Sequence, residues 1–158
     1  MDLAQGPHSL QALQARYGER HRWLLLLSVM LGSMAAVMSS TIMNVAIPTL
    51  EEEFDASAAS MEWVVIGYLL ALAVWIPASG WIGDKIGTKK TFLFALFLFT
   101  AASALCGQAQ SLNQLIFFRL LQGVGGGMLV PVGTAMLYRS FPPAERARAS
   151  TILIVPTV

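Results

Sequence analysis

An all-helical membrane protein is the architecture that this sequence predicts, and three observations carry the prediction. Residues 23–50, 63–83 and 91–118 each run without a charged side chain. Hydrophobic residues make up 56% of the chain and charged residues only 12%, where an average soluble domain carries about 25% charge. The links between the apolar runs are short and leave no space for a soluble domain. A chain of 158 residues encloses too small a core to hide this much apolar surface from water. The lipid bilayer is therefore its expected solvent and first partner.

The elements follow in order. Residues 1–22 are polar and read as an N-terminal segment. Within it Leu10, Leu13 and Tyr17 fall at helical spacing, which fits a short helix on the membrane surface; a solvated tail fits equally. The apolar run that starts at Trp23 is too long for the core of a signal peptide. It predicts a first transmembrane helix over residues 23–48, with Trp23 at the interface and Pro48 closing it. An acidic link at 51–57 holds Glu51, Glu52, Glu53 and Asp55. A second helix is predicted over 62–83, a third over 91–107 and a fourth over 114–138, with a polar turn at 108–113. Pro142 and Pro143 stop the fourth helix. A fifth apolar run, 149–158, is an incomplete helix, because its length covers roughly half of the hydrocarbon core.

Charge sets the expected topology. Of ten basic residues, Arg16, Arg20, Arg22, Lys85, Lys89, Lys90, Arg139, Arg146 and Arg148 fall on alternate links, and only Arg119 is left over. The intervening links, 51–60 and 108–113, contain no Lys or Arg. By the positive-inside rule the N-terminus and the 80–90 link are cytoplasmic, in a multi-pass protein of the cell membrane.

Other classes are excluded. A net charge of +1 offers no electrostatic footprint for nucleic acid. Cys106 is the single cysteine, and His8 and His21 have no ligand-like spacing, so neither a disulfide framework nor a metal site is expected. No cofactor motif is found. The acids expected on the outside cluster between Glu51 and Glu62, no nucleophile–base or paired-carboxylate arrangement appears, and no catalytic residue is assigned: this is not an enzyme.

Several residues could carry a transmembrane function. Arg119 lies inside the fourth helix, where a guanidinium costs several kcal/mol unless it is paired or faces water; Gln122 shares its face. Snorkelling to the outer interface is the structural alternative. Gly123, Gly125, Gly126 and Gly127 follow, and Gly123 and Gly127 allow a neighbouring helix to approach closely. In the first helix Ser39, Ser40, Thr41 and Asn44 form a polar patch that either bridges helices or lines a cavity. Tyr68 and Trp75 form an aromatic stripe that reads as packing. The 80–90 link combines Gly80, Gly83 and Gly87 with Asp84, Lys85, Lys89 and Lys90. Lys89 and Lys90 at a helix start oppose its dipole, so topology or a state-dependent charge contact explains them better than helix stability does.

These residues carry a resemblance. The run from Gly80 through Ile82, Gly83, Asp84, Lys85 and Gly87 to Thr88 and Lys89 resembles the cytoplasmic loop 2–3 signature of the major facilitator superfamily. Arg119, Gln122, Gly123 and Gly125 resemble its helix-four signature, and Thr41 to Pro48 is similar to the helix-one pattern of the fourteen-helix drug:proton antiporter branch, with Glu62, Trp63, Tyr68, Leu69 and Leu70 adding to the match. The resemblance implies that 23–158 is a partial N-terminal transporter domain. It implies an alternating-access efflux pump for small amphipathic drugs or biocides, exchanged for protons. Arg119 would be the proton-coupling arginine, and Gly80, Gly83, Asp84, Lys85, Gly87, Lys89 and Lys90 a latch that docks on the other half of the transporter. The cavity candidates are Ser39, Asn44, Arg119 and Gln122; Gly123, Gly125 and Gly127 are helix-packing glycines.

Two positions depart from the pattern. Ser39 stands where the branch has an acid, and a serine neither holds nor releases a proton at physiological pH, which puts proton coupling through the first helix in question. Thr88 replaces the usual arginine after Gly87. The family's repeats need three helices plus three in each half, so the remainder of the transporter is an expected partner. The alternative expectation is a truncated remnant or a non-transporting membrane component.

Overall fold

The computed structural model describes residues 20–154, which form five α-helices: α1 (Arg20–Phe54), α2 (Ala58–Ile86), α3 (Thr88–Cys106), α4 (Leu112–Ser140) and α5 (Pro143–Ile154). The expected surface helix or tail around Leu10, Leu13 and Tyr17 lies outside the described residues. The first four helices are long and apolar enough to cross a membrane. The result is an all-helical membrane bundle, as the apolar runs predict, with longer helices than those runs alone outline.

Local chemistry explains the extra length. Pro48 does not close α1, which continues through the acidic residues to Phe54. Its 35 residues span about 52 Å, well beyond a ~30 Å hydrocarbon core. Asp55, with φ at 47°, then breaks the helix. Ser57 caps α2 by accepting a hydrogen bond from the Ser60 amide at 3.3 Å, so α2 starts at Ala58, ahead of the apolar run. Ser111 does the same for α4 through the Gln114 amide, and the Gln114 side chain accepts from the Gln110 amide at 3.0 Å. Pro143 opens α5 in the first turn, where its missing N–H costs nothing, and Glu145 favours that end of the helix dipole.

The 80–90 segment is helical almost throughout. Gly80 and Gly83 lie within α2, and Lys89 and Lys90 lie in the first turn of α3. The break falls at Gly87 alone, with φ at 100°, a conformation for which glycine carries no Cβ penalty. Its amide bonds to the Gly83 carbonyl at 3.0 Å and its own carbonyl accepts from the Thr91 amide at 3.1 Å, so one residue ends one helix and begins the next.

α4 is the central helix. Of its most apolar stretch 56% is buried, against 28% for each of the other three spans. Between transmembrane helices close packing, rather than water exclusion, drives association, and α4 achieves it with glycine. A Cβ at Gly123 would stand 2.6 Å from the Tyr68 carbonyl oxygen on α2, and one at Gly125 would stand 2.6 Å from the Phe99 amide on α3. One at Gly133 would stand 2.5 Å from a Val29 methyl on α1. Three neighbours thus meet one helix on three faces.

Two apolar clusters mark opposite ends. Leu26, Val29, Phe92, Met136, Leu137, Phe141, Ala149 and Leu153 pack where α1, α3 and α5 begin and α2 and α4 end. Met61, Val64 and Leu115, with Leu50, Phe54 and Cys106 against them, pack at the other end.

Candidate functional site

Arg119 is carried on α4 at 2% exposure, so it does not snorkel to an interface. Its Nη1 donates to Gln122 Oε1 at 2.6 Å and to Ser39 Oγ, on α1, at 3.0 Å. Gln122 Nε2 donates to Ser103 Oγ on α3 at 2.6 Å, and that hydroxyl donates to the Phe99 carbonyl at 2.7 Å. The Tyr68 ring of α2 lies over the guanidinium, 4.8 Å from its carbon to the ring centroid. One buried cation therefore ties four helices together through neutral partners. Its Nε has no hydrogen-bond partner. Ser39, Arg119 and Gln122, all candidates from the sequence, meet in this node.

Two members were not site candidates from the sequence. Tyr68 reads there as packing stripe, because nothing local distinguishes an aromatic that covers a guanidinium from one that covers a leucine. Ser103 gives no signal, since serines are common in transmembrane helices and often bond the preceding turn of their own helix, as Thr100 and Ser28 do. Asn44 is not part of the node: it lies on an exposed face of α1.

Beside the node is a cavity of about 490 Å³ between α1, α2 and α4. Its walls are mainly apolar, including Leu72, Ile76 and Val130, and its hydroxyls come from Ser33, Ser40 and Tyr68. Gly126 and Gly127 complete the α4 wall. Tyr68 therefore borders the cavity and covers Arg119.

The α2–α3 joint forms a second charged feature. Asp84 Oδ1 pairs with Arg139 Nη2 of α4 at 2.8 Å, with both side chains more than half exposed. Lys85 lies over the Trp81 ring at 4.6 Å. Nearby, Arg22 and Trp23 of α1 face Glu145 and Arg148 of α5 around a small pocket of about 130 Å³. Asp84 thus finds a cation inside its own bundle, on a residue that the sequence marks only by its contribution to topology. Among the described residues no group of His, Cys, Asp and Glu is placed to hold a metal.

Four apolar spans thus surround a buried, neutrally ligated arginine, with a charged joint at one end, which defines a helical membrane bundle. The chain belongs to the major facilitator superfamily, whose family model matches residues 29–157. It is 42% identical over 135 residues to a Salmonella paratyphi B protein named "Putative multidrug resistance protein MdtD", a match that covers 85% of this chain and 28% of that one. To the protein of that name in Salmonella typhi it is 39% identical over 140 residues, 89% of this chain and 30% of the relative. The chain spans less than a third of the length of these relatives. Their names agree with the drug-efflux branch indicated by the helix-one pattern.

Proposed function

We propose that this chain is part of an efflux transporter that moves small amphipathic molecules across the cell membrane by alternating access. The observation that carries the proposal is the Arg119 node: a charge is kept inside the membrane span at 2% exposure, held by side chains of three other helices. A buried charge of this kind is expensive and contributes little to stability that an apolar residue would not, so a transport role accounts for it better than packing does. The likeness to proteins named for multidrug resistance supports the substrate class.

In this proposal the ends bearing Arg22, Asp84, Lys85, Lys89, Lys90, Arg139, Arg146 and Arg148 face the cytoplasm. Their clustering at one end of the bundle supports it, since the opposite end carries Glu51, Glu52, Glu53 and Asp55. The Gly80–Asp84–Gly87 joint is a latch whose contacts change between inward- and outward-facing states, with Arg139 as the partner of Asp84 in the present one. In any proton coupling Arg119 acts as a fixed positive charge, since neither its guanidinium nor the Ser39 hydroxyl of α1 titrates at physiological pH.

The test is transport by the complete protein in vesicles under an imposed pH gradient, with Arg119→Ala and Asp84→Asn compared to wild type. Efflux is expected to be abolished by Arg119→Ala and slowed by Asp84→Asn. Undiminished gradient-driven efflux in both would remove the roles given to these residues.

A further inference from the structure

We infer that the cavity between α1, α2 and α4 receives amphipathic organic anions, drawn by the charge of Arg119. The inference rests on the efflux reading above and adds the charge of the substrate to it.

Arg119 is the only formally charged side chain in residues 23–50, 63–83 and 91–138. Every group that it meets is neutral: Ser39 at 3.0 Å, Gln122 at 2.6 Å and the Tyr68 ring at 4.8 Å. Its Nε is buried without a partner. Hydrogen bonds of this kind hold the guanidinium in place, and they leave its unit charge uncancelled. In a medium of low dielectric that charge acts over several ångströms.

The field reaches the cavity through Tyr68, which covers the guanidinium and forms part of the cavity wall. Ser40, the neighbour in sequence of Ser39, borders it as well. The polar groups on that wall are hydroxyls, able to donate to carboxylate or sulfonate oxygens. Ser33 Oγ is among them, in a residue 5% exposed, and has no partner of its own. A cationic guest would meet the same apolar walls and hydroxyls with no carboxylate to answer its charge. The α1–α2–α4 wall therefore selects an apolar body with an acidic head.

Ser39 makes this testable, because an acid there would stand within reach of Arg119 Nη1 and cancel the charge. Two dyes that share a xanthene frame, anionic fluorescein and cationic rhodamine 6G, serve as probes of equilibrium binding to the complete, purified transporter by fluorescence polarisation. Wild type is expected to bind fluorescein at least about tenfold more tightly than rhodamine 6G, since the uncancelled charge of Arg119 attracts the one guest and repels the other. Ser39→Asp is expected to lose about tenfold in fluorescein affinity, whereas Ser39→Asn, the neutral isostere of that aspartate, loses markedly less. Equal or tighter binding of rhodamine 6G to wild type overturns the inference even if the aspartate variant does not fold, as does unchanged fluorescein binding in a folded Ser39→Asp. Dye movement in proteoliposomes separates the two readings. Anion-selective binding without movement of either dye would sink the efflux reading and leave the anion site. Movement of rhodamine 6G in preference to fluorescein would sink the anion site and leave the efflux reading.

Discussion

Ser39 on α1 accepts a hydrogen bond from Arg119 on α4 at 3.0 Å, across 80 residues of sequence. The contact joins the polar patch of the first helix to the one charged side chain in residues 23–50, 63–83 and 91–138, and it assigns Ser39 a role that does not depend on titration. The hydroxyl positions the guanidinium, and Gln122 and Ser103 continue the chain of bonds to α3.

Arg119→Ala is expected to abolish efflux and also to weaken the fold. It leaves Gln122 Oε1 without its donor in a residue 3% exposed, at a cost of about 1–3 kcal/mol. Arg119→Lys retains the charge but cannot reproduce the planar geometry that serves Ser39 and Gln122 from one nitrogen while the ring of Tyr68 stacks over it. Vesicle transport and thermal unfolding of the complete protein in detergent are the measurements. Full activity of the lysine variant would show that charge alone suffices.

Ser103→Ala tests the residue at the end of the chain. The Ser103 hydroxyl accepts from Gln122 Nε2 at 2.6 Å, and its removal should destabilise the protein by about 1 kcal/mol, with a lower melting temperature. Ser28→Ala is the comparison, because that hydroxyl bonds only to the carbonyl of Leu24 in its own helix, and its loss should leave the melting temperature nearly unchanged.

Glycines divide into two kinds. At Gly125 a Cβ would approach backbone atoms of α3, Phe99 N at 2.6 Å and Ala95 O at 2.8 Å, which cannot yield without separating the helices. Gly125→Ala is expected to cost about 1–3 kcal/mol. At Gly80 nothing lies within 4 Å, so Gly80→Ala should be neutral or stabilise α2 by up to about 1 kcal/mol. Reduced transport in a Gly80→Ala protein of undiminished stability would place the need for that glycine in another conformational state.

Asp84→Asn and Arg139→Gln break an exposed ion pair and should each change stability by less than about 1 kcal/mol. Both are expected to slow transport. Exchanging the two charges in one protein should recover part of the rate if the pair acts as a unit, and rate constants for the single and exchanged variants decide it. Equal losses in all three would assign the effect to the individual residues.

Much of the architecture was legible in the chain. The four spans, the glycine-rich α4 and the concentration of cations on alternate links are all visible as runs and periodicities. Helix ends were less so. Pro48 reads as a stop, yet α1 passes it, because a proline removes one backbone bond and the surrounding turns retain theirs. The 80–90 segment reads as a loop from its glycines and charges, but those charges are compatible with helix ends and only Gly87 leaves helical geometry.

Apolar length and the placement of charge are properties of the chain in one dimension, and a bilayer reads them directly: it admits long apolar helices and sorts cations to one side. Those rules made the membrane bundle evident before any coordinates, while the family was indicated by the motif resemblance of 80–89, 119–125 and 41–48. Which residues surround Arg119 depends on how four helices rotate about their axes and how deeply glycines let them approach. That rotation brings Ser39, Tyr68, Gln122 and Ser103 to one guanidinium while leaving Asn44 on an exposed face, and it sets Arg139 against Asp84. Contacts between residues 55 and 80 positions apart leave no periodicity to detect; they are decided by packing.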